Sequence, residues 1–223
     1  MDLGWLAAPP ARRRVAFYLP DVAARDPEVR RSLPLLVVLD GIDYLRRGGL
    51  AVMLDALIAG GSMAPVAALF VDNAGPGRPS EYAANDFTVA SLADVAVPAA
   101  VEELGLEAQR VADGAGRAAI LGSSMGGLMA LHAGVRRPDV FGRVIAQSTS
   151  AMLEELPLRD SVVPQIRLTT LALLEATAPP PVRLWLDALS RCRHLGVWST
   201  LPLSQRAPHR PGEPSMKGHA VSL

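Results

Sequence analysis

The sequence predicts an α/β protein: three layers, with a mostly parallel sheet between helices. Three observations predict it. Short apolar runs recur and end in Asp-Gly or Asp-Asn, at Leu39-Asp40-Gly41 and Val71-Asp72-Asn73. Stretches with helical periodicity separate those runs, which is the signature of βαβ units. One strand-to-helix junction also carries Gly122-x-Ser124-x-Gly126.

The elements follow in order. Val15–Leu19 is a short strand candidate. Leu35–Leu39 (Leu-Leu-Val-Val-Leu) is apolar at every position, as a strand covered on both faces must be. Leu50–Ala59 is periodic and stops at Gly60-Gly61, a helix end. Pro65–Val71 is the second buried strand. Asn73–Asn85, rich in Gly, Pro and charge, is a polar loop. A helix runs from Asp86 towards Gly105, kinked at Pro98 because proline has no N–H to donate. Arg117–Leu121 is a third buried strand, Met125–Arg137 a helix and Val140–Gln147 a fourth strand. Residues 161–176 are helical, and Val182–Leu186 is a fifth strand. From Ala188 the pattern dissolves, with four Pro and five Ser among 36 residues and no sustained period. The expected organisation is one domain over residues 12–187 and an irregular tail over 188–223.

Composition narrows the function classes. The 223 residues carry 22 basic and 22 acidic side chains, so no basic excess points to nucleic acid or an anionic membrane. Beneath that balance, residues 1–187 hold 17 basic and 21 acidic side chains, and residues 188–223 hold five and one. The lone Cys192 excludes an internal disulfide framework and a cysteine zinc site. The apolar run near Met1 is short and precedes Arg12-Arg13-Arg14, the reverse of a signal peptide. No run approaches the roughly 18 apolar residues of a membrane span. A soluble cytoplasmic protein is expected.

Gly122-x-Ser124-x-Gly126 is the pattern of a nucleophile elbow, and here it has the required strand before it and helix after it. The chain must reverse within a few residues, which lifts the Ser124 hydroxyl above the sheet. Glycines on either side avoid Cβ clashes. The Met125 N–H, at the helix start, is placed to donate to an oxyanion. The plainer alternative is a glycine-rich turn that binds a phosphate or nothing.

A serine nucleophile needs a base and an orienting acid, in the chain order Ser, acid, His. Asp187 ends the fifth strand, on the edge of the sheet where α/β sites form. It could equally cap a turn. His132 precedes every candidate acid and shares a helix face with Leu128 and Val135, which suits a structural role. His194, His209 and His219 all lie in the tail, and His219 is the last of them.

Taken together, the chain resembles the esterase family of α/β-hydrolases, nearest to the catalytic domain of enterochelin esterases and their single-domain relatives. The resemblance rests on Val15–Pro20, Leu35–Gly41, Val71–Asn73 with Arg78 and Glu81-Tyr82, Gly122–Gly127, Pro138–Gly142 and Gln147-Ser148. It implies a three-layer α/β-hydrolase fold, incomplete at its C-terminal end. It implies Ser124 as nucleophile, an oxyanion hole from the N–H groups of Ile42 and Met125, and Arg78 and Glu81 beside the substrate. The implied activity is hydrolysis of small-molecule carboxylic esters, in some relatives siderophore trilactones, without metal or organic cofactor.

After Asp187 the sequence departs from the family. Members continue through a helix and a strand to Gly-Gly-His, and only Gly218-His219 echoes that motif here. His219 is the preferred base, with Asp187 as its partner. The tail reads as out of register with the family, as a reading-frame change would produce. Two further readings stand beside ester hydrolysis. One is an impaired remnant without a competent histidine, and the other is acyl transfer to an alcohol.

Overall fold

The computed structural model describes residues 13–108, 118–149, 183–187 and 219–222. Among the described residues, seven strands form one sheet in the order β1-β3-β2-β4-β5-β6-β7. They are β1 (Val15–Tyr18), β2 (Leu35–Leu39), β3 (Ala67–Val71), β4 (Ala118–Ser123), β5 (Phe141–Gln147), β6 (Arg183–Asp187) and β7 (His219–Ser222). Strands β2 to β6 run parallel, and β1 and β7 pair antiparallel at the two edges.

Every residue of β2 and β3 is buried, as their unbroken apolar sequences predict. Successive side chains point to opposite faces of a strand. Leu35, Val37 and Leu39 therefore join one core, with Leu69, Leu128 and Met129. Leu36 and Val38 join the other, with Phe70, Leu54 and Leu121.

The helices are α1 (Asp21–Arg25), α2 (Pro27–Ser32), α3 (Gly41–Arg46), α4 (Leu50–Ala59), α5 (Arg78–Tyr82), α6 (Asp86–Ser91), α7 (Val97–Leu104) and α8 (Met125–Arg136). Asp26 caps α2 by accepting from the Glu28 and Val29 N–H groups, with Pro27 in the first turn. Asn85 caps α6 in the same way, through Phe87 and Thr88.

Two sequence expectations change. The stretch 73–85 is not a plain loop: a 3₁₀ turn at Gly75–Gly77 leads directly into α5. The helix expected from Asp86 towards Gly105 is not α throughout. A wider π-helical turn, Leu92–Ala96, joins α6 to α7 just before Pro98, the position at which a proline, with no N–H to donate, disturbs the helical ladder.

The tail holds a further difference. His219–Ser222 forms β7, although the sequence around it carries no strand period. Four residues are too few to display one, and pairing with β6 supplies the order that local pattern lacks. The helix expected over 161–176 and the rest of the tail lie outside the described residues. No helix among the described residues is long and apolar enough to cross a membrane.

Strand order positions the site. From β2 the chain moves outward to β3, then crosses back to β4 on the other side of β2. Connections therefore leave β2 and β4 in opposite directions. That opens a crevice at their carboxyl ends, the switch point where open α/β sheets bind ligands. Asp40 follows β2 and Ser124 follows β4 at this crevice.

Candidate active site

Ser124 joins β4 to α8 with φ 56° and ψ −119° and is exposed. Few side chains tolerate this backbone, and such strain gathers at functional sites. Two backbone bonds hold it: the Ser124 N–H donates to the Gln147 carbonyl of β5 at 2.9 Å, and the Leu128 N–H of the first turn of α8 donates to the Ser124 carbonyl at 3.1 Å. The turn needs its glycines. A Cβ on Gly122 would lie 2.1 Å from the Gly126 carbonyl oxygen, and one on Gly126 would lie 3.0 Å from Asp40 Oδ2.

Ser124 opens into a cleft of about 460 Å³, lined also by Asp40, Tyr44, Asn73, Arg78 and Gln147. Asp40 organises this cleft. It is buried, with left-handed backbone (φ 54°). Arg78 grips its carboxylate bidentately, Nε to Oδ1 and Nη2 to Oδ2, both 2.7 Å. Asn73 Nδ2 donates to Oδ1 at 2.7 Å. The Arg78 guanidinium also lies 5.0 Å from the centre of the Tyr82 ring, a cation–π distance. The Tyr82 hydroxyl in turn accepts the Asp40 N–H at 3.1 Å.

The site's phenols stay protonated. Burial, then the Asp40 charge, pushes Tyr44 up to about 12, against a hydrogen bond with Ser123 that lowers it. Its hydroxyl donates to Gln147 Oε1. Burial raises Tyr82 as well, again with help from Asp40. The Arg78 guanidinium is raised by its bonds to Asp40.

The residues singled out from sequence take these places. Met125 is the first residue of α8 and Ile42 the second of α3. The Asp43 and Tyr44 N–H groups both donate to the Asp40 carbonyl. Ile42 thus sits in the first helical turn, whose amides have no intrahelical acceptor four residues back. Arg78 lines the cleft. Glu81 does not: its Oε1 accepts Arg13 Nε at 3.0 Å and Nη2 at 2.8 Å, and its Oε2 accepts the Ala74 N–H at 2.8 Å. It is a buried clamp that ties the chain entering β1 to the loop after β3. Asp187 ends β6 with its backbone opposite Gln147, and His219 begins β7 opposite Leu186. Register therefore puts both backbones on the same sheet edge as Ser124.

His132 is buried, with Nε2 2.9 Å from Asp86 Oδ1 and no partner for Nδ1. It belongs to the helix–helix packing, as its position before any acid suggested. Asp40, Asn73, Tyr44 and Gln147 were assigned no role from sequence. The only signal for them is that each stands at or just beyond the end of a strand or in the helix that follows. Among the described residues no group of three or more His, Cys, Asp or Glu side chains could hold a metal ion.

A serine in a strained turn between strand and helix, beside the switch point of a mostly parallel sheet, fits an α/β fold of the hydrolase class. The family model described as "Putative esterase" matches residues 7–188, and the chain belongs to that family. The iron(III) enterobactin esterase of Dickeya dadantii (strain 3937) is 30% identical over 181 residues, covering 77% of this chain and 39% of that protein. The iron(III) salmochelin esterase of Escherichia coli O6:H1 is 28% identical over 139 residues, covering 62% of this chain and 32% of that one.

Among solved structures, the enterobactin esterase from Shigella flexneri in the presence of enterobactin superposes with a TM-score of 0.60 at 23% identity. It covers 77% of this chain and 40% of that chain. A siderophore hydrolase from Aspergillus nidulans gives 0.56 at 16% identity, with 91% and 68% covered. At these identities the likeness is one of fold. The chain spans about two fifths of the length of the enterobactin esterase from Dickeya dadantii. The family resemblance and the fold class expected from sequence are both borne out.

Proposed function

We propose that the protein is a serine hydrolase of small-molecule carboxylic esters, with siderophore-type lactones as the substrate class its relatives suggest. The observation that carries the reading is the exposed, strained Ser124 at φ 56° and ψ −119°, opening into the switch-point cleft. Ser124 Oγ attacks the ester carbonyl. His219 accepts the hydroxyl proton and passes it to the leaving alcohol, and Asp187 holds the imidazole in the required tautomer. The N–H groups of Ile42 and Met125 bind the oxyanion, where loss of one donor typically costs about 10²–10³ in kcat. Water then attacks the acyl-enzyme, and Ser124 is regenerated. Arg78 acts on the substrate side of the cleft through the groups that Asp40 leaves unoccupied.

The departure after Asp187 favours a second reading, an impaired remnant whose histidine is not competent. Acyl transfer to an alcohol would use the same acyl-enzyme, and product analysis with an added acceptor separates it. One experiment tests the main reading. A fluorophosphonate probe is expected to label the wild type and not Ser124→Ala, and p-nitrophenyl acetate turnover is expected to fall to the Ser124→Ala background in His219→Ala. Equal labelling of both proteins would refute Ser124. Labelling without turnover would favour the remnant.

A further inference from the structure

A second cavity, of about 540 Å³, adjoins the serine cleft: Asp43 and Asn73 line both. Its walls carry four arginines. Arg13 and Arg14 come from the segment entering β1, and Arg46 and Arg47 from the end of α3. Among the described residues, two lining carboxylates answer them, Asp43 and Asp72.

The pairing is uneven. Arg14 donates to Asp72 Oδ2 from Nε at 3.1 Å and Nη2 at 2.7 Å. Arg47 lies 3.4 Å from Asp43 Oδ1. Arg13 is bound to Glu81 behind the cavity wall. Among the described residues Arg46 has no carboxylate partner. Among the described lining residues the pairings leave one cation over, Arg46, inside residues 1–187, where acidic side chains outnumber basic ones 21 to 17. A concave positive spot on a mildly acidic domain focuses its field on an incoming anion. Guanidinium groups also match the planar, bidentate geometry of a carboxylate.

We propose that this cavity is an anion subsite that selects esters bearing a carboxylate on the arm that reaches past Asp43 and Asn73. The proposal deepens the esterase reading and rests on it. A substrate whose ester carbonyl sits at Ser124 would place its charged arm between the two pairs of arginines, with Arg46 as the cation that no carboxylate among the described residues neutralises.

The test uses the full chain and matched probes, mono-p-nitrophenyl glutarate and its neutral methyl ester. The wild type is expected to prefer the anionic probe in kcat/KM by tenfold or more. Arg46→Glu should cut that preference at least tenfold, whereas Arg25→Glu, the same charge change outside both cavities, should leave it within twofold. Taking the ratio of two probes on one protein cancels any loss of folded enzyme. A wild-type ratio near one, or an equal ratio in Arg46→Glu, would overturn the subsite. Should neither probe be hydrolysed, the esterase reading fails, and the subsite is decided by calorimetry with glutarate on Ser124→Ala. A tenfold weaker Kd after Arg46→Glu supports it, and an unchanged Kd or no binding overturns it.

Discussion

Arg78 reaches across 38 residues of sequence to place Nε and Nη2 2.7 Å from the two carboxylate oxygens of Asp40. The pair closes one wall of the serine cleft and fixes the left-handed residue that launches α3. Removing the guanidinium leaves a buried carboxylate with Asn73 as its remaining side-chain donor. Breaking a buried pair from one side typically costs about 3–5 kcal/mol. Arg78 is 27% exposed, so water repays part of that. Arg78→Ala is expected to lose about 2–3 kcal/mol in urea denaturation. Arg78→Lys should recover only part, because an ammonium cannot make the fork. A loss of a few tenths would mean that water replaces the guanidinium.

Ser124 should be held at a cost to stability. Its φ of 56° and ψ of −119° suit glycine better than any residue with a Cβ. Ser124→Gly is expected to unfold at higher urea than Ser124→Ala, by about 1–2 kcal/mol, while neither reacts with a phosphonate probe. Equal midpoints for the two variants would show that the elbow carries no strain.

Two glycines of the same region should respond differently to alanine. The Cβ of Gly122→Ala would meet backbone, 2.1 Å from the Gly126 oxygen and 2.3 Å from its carbonyl carbon, so α8 must move off the sheet. A loss above about 4 kcal/mol, or insoluble protein, is expected. The Cβ of Gly134→Ala would meet Val144 Cγ2 at 2.3 Å. That methyl belongs to the buried, β-branched Val144, which must turn or shift with its neighbours, and overpacking of this kind costs about 1–3 kcal/mol. Soluble Gly122→Ala with native-like stability would contradict the close β4–α8 approach.

His132 should set part of the acid limb of stability. Burial lowers its pKa below the ordinary 6.5, against the opposing pull of Asp86. The folded state therefore binds fewer protons at this site than the unfolded chain. Its contribution is present above pH ~6.5 and is lost as pH falls towards the folded value. Between pH 7 and 5, unfolding free energy should decline less steeply in His132→Gln than in wild type. Parallel profiles would show that His132 does not titrate differently on folding.

Much of this was legible from local pattern. Leu35–Leu39 and the run before Asp72 are apolar at every position, and both proved to be central strands buried on both faces. A strand covered on two sides has no other way to read. The elbow was legible because Gly122, Ser124 and Gly126 each answer a steric demand within five residues. The partner of Glu81 was not: its carboxylate accepts from Arg13, 68 residues away. Likewise β7 had too few residues to show a period, and its place follows from pairing with β6.

The sequence by itself determined which segments are buried, where the chain must reverse sharply, and hence which serine stands exposed at a strand end. Those are one-dimensional facts, set by side-chain polarity and by the space a Cβ needs. Only the tertiary structure decided which charges meet. The crossover from β3 back to β4 sets Ser124 beside Asp40, brings Arg78 and Asn73 onto that carboxylate, and leaves four arginines around the neighbouring cavity. Ion pairs across 38 and 68 residues depend on strand order, and no local period encodes strand order.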